Sequence, residues 1–235
     1  MEEKRLQELH ELESRLGVRF SDINLLNQSL THTSFIGEKE ESRLESNQRL
    51  EYLGDAVLGL AVSFYLYEQH PELFEGQLTK IKAAAVSEPI LCRVAEELQL
   101  GRYLLLGRGE ELTGGRQRPS ILSDALEAIV AAIFLDRGFE EAQRFIRRTF
   151  GAIIEDIRHQ RQGQDFKSML QEKIQSRTNR APEYEVVEEI GPDHDKRFVV
   201  EVRMDDQILG TGFGASKKEA EQAAAAQALQ AIESE

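Results

Sequence analysis

An all-α domain followed by a small α+β domain is the fold class this sequence predicts. Three observations carry that reading. Apolar residues recur at three-to-four spacing through almost all of the first 157 positions. A short polar segment, Arg158 to Gln164, lacks any such periodicity. Beyond it come short runs rich in Val, Ile and Phe, closed by an Ala-rich stretch. The chain therefore divides into residues 1–157, a linker at 158–164, and residues 165–235. With 40% hydrophobic and 30% charged residues it can bury a core, which excludes wholesale disorder.

In order, Leu6, Leu9, Leu12 and Leu16 mark a first helix that Gly17 stops. Helices follow at Leu50–Tyr67, Pro89–Leu98, Pro119–Leu135 and Glu140–Ile157, separated by loops at Gly37–Ser46, His70-Pro71 and the glycine-rich run Gly107–Pro119. After the linker, Asp165–Ser176 places Phe166, Met169, Leu170 and Ile174 on one helical face. Strands are predicted at Tyr184–Ile190, Arg197–Met204 and Gln207–Gly212, the last two joined by a tight Asp205-Asp206 turn. The final helix, Lys217–Ile232, is so rich in Ala that it should pack closely on the sheet.

Composition excludes several classes. The single cysteine, Cys92, permits no intramolecular disulfide and no Cys-based zinc site, and in its apolar helix it reads as a small buried hydrophobe. No apolar signal region opens the chain and no stretch reads as a membrane span, so a soluble, cytoplasmic protein is expected. Twenty-nine basic residues against 42 acidic ones give a net charge of −13. A uniform field of that sign repels polyanions, so any nucleic-acid contact must be local.

Four carboxylates stand where carboxylates are costly. Within Leu50–Tyr67 the only charges are Glu51 and Asp55, at i and i+4. Within Pro119–Leu135 they are Asp124 and Glu127, at i and i+3. Each pair shares a helical face, where like charges repel. Desolvation on such helices raises a carboxyl pKa or calls for a counter-cation. Hard oxygen donors without His or Cys favour Mg²⁺ or Mn²⁺. Small neighbours, Gly54, Ala56, Ala125 and Ala128, would let the two helices approach and bring the acids together. Two other readings exist: solvent-facing stripes on amphipathic helices, and a di-iron bundle. The second requires Glu-x-x-His twice, and the nearest spacing is Asp156 to His159.

The run Asn47-Gln48-Arg49-Leu50-Glu51-Tyr52-Leu53-Gly54-Asp55-Ala56-Val57-Leu58 closely resembles the signature of the bacterial ribonuclease III family. Leu30–Phe35, Glu75–Thr79, Gly114–Arg116 and Ser123–Ala128 follow in family order. The remainder is similar to a double-stranded RNA-binding domain at Asp165–Ser168, Pro182–Tyr184, Gly191–His194, Gly212–Gly214 and Ser216–Glu221. The resemblance implies an all-α ribonuclease III domain that catalyses and dimerises, then an α-β-β-β-α RNA-binding domain. It implies Glu51, Asp124 and Glu127 as metal ligands, Asp55 and Glu127 as catalytic residues, and Glu75 as an auxiliary acid. The implied reaction is Mg²⁺-dependent hydrolysis of double-stranded RNA by a homodimer, leaving 5′-phosphate and 3′-hydroxyl ends with short 3′ overhangs. Ribosomal RNA precursors and structured messenger RNA are the implied substrates.

One position departs from the pattern: Gln48 stands where the family usually has Glu. A non-catalytic regulator that binds double-stranded RNA is the competing class, and Gln48 is the one feature favouring it. For RNA contact, residues 164–235 hold nine basic and fifteen acidic residues, so positive charge must be concentrated. Ser216 as N-cap, with Lys217 and Lys218 behind it, would aim a helix N-terminus at phosphate. Gln171, Glu172, Pro192 and His194 match family positions that meet the minor groove. His32 is expected to pack or hydrogen-bond rather than ligate. Arg116 and Arg118 read equally as RNA contacts or mobile surface charge, and Phe35 and Ile36 as dimer interface or core.

Overall fold

Leu9, Leu12 and Leu16 bury one face of the first helix, α1 (Glu3–Leu16), and Gly17 ends it in the left-handed conformation at φ 62°. The turn that follows is clasped by Glu13, only 2% exposed. Its carboxylate accepts hydrogen bonds from the Phe20 amide (2.7 Å), Arg19 (2.9 Å) and His10 (2.7 Å). These contacts come from a computed structural model that describes residues 2–36, 44–162, 166–178, 180–192 and 196–233. It forms two units, Met1–Ile157 and Arg158–Glu235.

The first unit continues with α2 (Ile23–Ser29), capped where Asp22 accepts from the Asn24 amide, and α3 (Thr33–Ile36). Then come α4 (Gln48–Gln69), α5 (Glu75–Ala85), α6 (Glu88–Glu97), α7 (Arg108–Leu112), α8 (Pro119–Arg137) and α9 (Phe139–Gln162). At the centre lies α8, buried on nearly every side through Ile121, Leu122, Ala125, Leu126 and Ala128–Ile133. Leu58, Ala61, Val62 and Leu66 of α4 and Phe145, Phe150 and Ile154 of α9 belong to the same core.

Three local expectations need correction. Residues 158–162, expected in the linker, continue α9, because nothing in Arg158–Gln162 breaks a helix. The glycine-rich run 107–119 is not one loop but holds α7 and a 3₁₀ turn at Gly115–Gln117. Within it, Arg116 is a brace: its guanidinium donates to the Gly101 and Leu104 carbonyls at 2.8 Å and to Glu111 at 2.6 Å. Arg118 pairs with Glu110 and donates to Thr113 Oγ1. Phe35 is 53% exposed, so it is no core residue, whereas Cys92 is buried as expected.

The second unit is α10 (Phe166–Thr178), β1 (Glu183–Ile190), β2 (Arg197–Met204), β3 (Gln207–Gly214) and α11 (Lys217–Glu233). The sheet is antiparallel in the order β1-β2-β3, with bulges at Val186/Glu188 and Val202/Arg203. Met204 pairs with Gln207 across the Asp205-Asp206 turn, where Asp205 takes φ 51° and Arg180 grips both its oxygens at 2.9 and 3.2 Å. On the inner face Val200 and Val202 pack with Leu170, Ile174 and the alanines of α11. Close packing of that helix has a second cause: alternate residues of β3 are glycine. A Cβ on Gly212 would stand 2.1 Å from the Ala224 nitrogen, and one on Gly210 would stand 2.5 Å from the Ala224 oxygen.

Candidate metal centre and RNA-binding surface

Glu51 lies one turn into α4, and Asp124 and Glu127 lie in the second and third turns of α8. Their helices cross at Gly54, where a Cβ would meet the Glu127 carbonyl oxygen at 1.9 Å. That contact brings backbone to backbone and lets the acids meet. Carboxylate oxygens of Glu51, Asp124 and Glu127 all lie within 4.8 Å of one another, and all three residues are partly buried. Of the small neighbours named above, Gly54, Ala125 and Ala128 are buried, whereas Ala56 is exposed. At 100° per residue, two positions past Gly54 point away from α8.

Burial and mutual repulsion raise the carboxyl pKa values. Glu127 goes from an ordinary 4.5 to about 7, chiefly by desolvation and then by Asp55, Asp124 and Glu51. Glu51 is raised by burial and by Asp124. Asp124 is raised by burial; His32 opposes that rise and Glu88 reinforces it. Three hard oxygen donors this close, with no His or Cys among them, fit Mg²⁺ or Mn²⁺.

A raised Glu127 contributes fully below about pH 4.5, and that contribution is lost as pH climbs through about 7. Metal binding requires the deprotonated acids. Added Mg²⁺ should therefore raise the melting temperature more at pH 8 than at pH 6. An equal or larger rise at pH 6, by scanning calorimetry, would contradict the carboxylate site.

Asp55 is exposed, one turn beyond Glu51, and its charge reaches Glu127. Glu75 is not brought into the group: it is exposed at the start of α5 and accepts a hydrogen bond from Thr79 Oγ1 at 2.9 Å. Gln48 is exposed in the first turn of α4. Asn47, the first residue of the signature run, is 2% exposed: its backbone amide donates to the Thr31 carbonyl and its carbonyl accepts from the Glu51 amide.

In the second unit Ser216 caps α11, its hydroxyl accepting from the Glu219 amide at 3.2 Å while Glu219 accepts from the Ala215 amide at 2.9 Å. Lys217 and Lys218 are exposed behind it. Lys217 is steadied by Glu189 at 3.5 Å and lies 5.5 Å over the Phe198 ring. Gln171 and Pro192 are exposed, and Glu172 is half-buried with one carboxylate oxygen unbonded. His194 lies outside the described residues.

Fold and site together define a helical domain whose carboxylate cluster could hold a metal ion, followed by a small α-β-β-β-α domain. Residues 22–154 match the ribonuclease-III-like family, and residues 166–232 match the double-stranded RNA binding motif. Ribonuclease 3 of Pelotomaculum thermopropionicum is 50% identical over 218 residues, covering 93% of this chain and 90% of that protein. Its counterpart in Geobacillus kaustophilus is 46% identical over 230 residues, covering 98% and 93%. The crystal structure of the nuclease domain of ribonuclease III from Campylobacter jejuni superposes with a TM-score of 0.56 at 44% identity, covering 61% of this chain and 94% of that one. A second structure of that domain, concerned with flexibility in a region involved in dimer formation, gives 0.55 at 46% identity over 60% and 97%. The chain belongs to the ribonuclease III family and is an endoribonuclease with a double-stranded RNA binding motif.

Proposed function

We propose that this endoribonuclease hydrolyses double-stranded RNA to 5′-phosphate and 3′-hydroxyl ends with short 3′ overhangs, using Mg²⁺, for which Mn²⁺ substitutes. The observation that supports this most is the meeting of Glu51, Asp124 and Glu127 from two helices. These three would hold the metal, which when bound supplies an activated water and charge stabilisation at the scissile phosphate. Asp55, beside Glu127 and open to solvent, orients the attacking water or takes its proton. Glu75, exposed at the start of α5 and outside that group, is given no part in holding this metal. Residues 1–157 carry catalysis and dimerisation, and residues 165–235 carry duplex binding.

An outward stripe on α4, of Tyr52, Leu60, Phe64 and Tyr67, supports a homodimer. Each subunit then cuts one strand. Duplex binding falls to Gln171, Glu172, Pro192 and His194 in minor grooves and to Ser216, Lys217 and Lys218 at phosphates across the major groove. Precursors of ribosomal RNA and structured messenger RNA in the cytoplasm are the proposed substrates.

The deciding experiment incubates an end-labelled RNA duplex with the protein in Mg²⁺, Ca²⁺ or EDTA. Cuts on both strands in Mg²⁺, lost in EDTA, support the reading; binding without cutting in Mg²⁺ and Mn²⁺ alike favours the regulator that Gln48 suggests. Duplex affinity should fall steeply between 50 and 200 mM salt, and Lys217→Ala with Lys218→Ala should flatten the log–log slope by roughly 1 to 2 units. A slope unchanged by the double variant would remove the phosphate role of this helix start.

A further inference from the structure

His32 is held in place more firmly than a loop histidine needs to be. Its amide donates to the Leu105 carbonyl at 3.0 Å, and the preceding residue, Thr31, accepts from the Asn47 amide at 2.9 Å. The backbone at 31–32 is thus tied both to the 105–107 segment and to the start of α4, the helix that carries Glu51. Gly107 presses against this turn so closely that a Cβ there would stand 2.1 Å from the Ser34 carbonyl oxygen.

The imidazole is fixed as well. Ser34 Oγ accepts from the Gly107 amide at 2.9 Å, so its own proton is free to point at His32 Nδ1, 2.8 Å away. The Ser34 amide donates to the same nitrogen at 3.2 Å. Two donors on Nδ1 leave it the unprotonated nitrogen and place the ring proton on Nε2. The ring is partly exposed, and the backbone before it is hydrogen-bonded to Asn47, whose own carbonyl accepts from the Glu51 amide. A solvent-accessible N–H donor of set tautomer therefore stands on a scaffold tied to the turn of α4 that carries Glu51.

We propose that His32 is a phosphate-binding residue, whose Nε2–H donates a hydrogen bond to a non-bridging oxygen of RNA lying at the Glu51–Asp124–Glu127 group. The inference rests on the proposed nuclease reading and adds to it a substrate contact outside the carboxylates. A single fixed N–H donor suits this place. It stabilises phosphate charge without competing with metal for the acids, and its preset tautomer needs no rearrangement when substrate arrives.

Two measurements test it. Nitrogen-15 NMR of the five histidines, in a Glu127→Gln background so that RNA stays uncut, should show His32 with Nδ1 unprotonated and Nε2 protonated. Its Nε2–H resonance should move when a synthetic RNA duplex is added. Disappearance of that signal in His32→Gln assigns it. The other tautomer, or no movement with bound duplex, overturns the proposal.

In single-turnover cleavage, His32→Ala should lose about 10- to 100-fold, the scale of one hydrogen bond to a charged group. His32→Gln, which keeps an N–H near the Nε2 position, should recover most of that rate. Both should keep the wild-type rise in melting temperature on adding Mg²⁺. Loss of that rise in His32→Ala would make the residue a support for Asp124 and sink the phosphate contact. Wild-type rate in His32→Ala would sink it too, while leaving the nuclease reading intact. A wild-type protein that binds duplex but never cuts would instead remove that reading itself.

Discussion

Glu127→Gln is expected to lower single-turnover cleavage of an RNA duplex by about a thousandfold or more, some 4 kcal/mol of transition-state stabilisation. Duplex affinity should hardly change, because the double-stranded RNA binding motif, residues 166–232, lies in the other unit and keeps its contacts. The substitution keeps the side-chain volume and removes only the ability to carry negative charge. In the metal-free protein Glu127 is already the acid pushed furthest toward its neutral form. Gln mimics that form, so the variant should fold normally and, at pH 8, melt no lower than wild type without metal. Its gain in melting temperature on adding Mg²⁺ should largely vanish. Cleavage at near the wild-type rate would show that Glu127 is dispensable to the chemistry; a collapsed melting temperature would show that its role is structural.

Gly54→Ala should be the most damaging small substitution in the first unit. Inside a helix this exchange ordinarily stabilises by about 0.5–1 kcal/mol. Here the new methyl would fall 1.9 Å from the Glu127 oxygen and 2.4 Å from its carbonyl carbon, both backbone atoms that cannot rotate away. The helices must separate, at a net cost of about 3 kcal/mol and a drop of roughly 6–12 °C in melting temperature. Because the crossing also brings the acids within 4.8 Å, metal-induced stabilisation should weaken with it. Gly59→Ala in the same helix is the control: its Cβ would lie 3.5 Å from the flexible Lys82 Cε, an ordinary contact. That variant should be neutral or slightly stabilised. Equal effects at the two glycines would mean that the α4–α8 crossing tolerates separation.

Much of the fold was legible because long periodic segments overdetermine helices, and α4, α8 and α9 all follow their apolar spacing. Short elements were not. The seven residues of α2 and the five of α7 span too few turns to show a period, and their stability comes from caps and braces such as Asp22 and Arg116. The acids of α4 and α8 stood out for a physical reason: isolated charges in otherwise apolar helices are costly unless something compensates them. Ala56 lies off the helix crossing because nearness in sequence is not nearness on a helix face. The support that Asn47, Ser34 and Gly107 give to His32 was not legible, since it arises from hydrogen bonds between segments far apart in the chain.

The glycine-on-alanine contact between β3 and α11 also bears on how the protein responds to temperature. It buries backbone against backbone with few large side chains, whereas the first unit buries Leu, Ile and Phe in quantity. Exposure of apolar surface raises the heat capacity of unfolding and exposure of polar surface lowers it. The RNA-binding unit should therefore have the smaller heat-capacity change per residue and a flatter stability curve. The nuclease unit should lose stability faster on either side of its optimum, so cooling would weaken the catalytic half before the half that holds RNA.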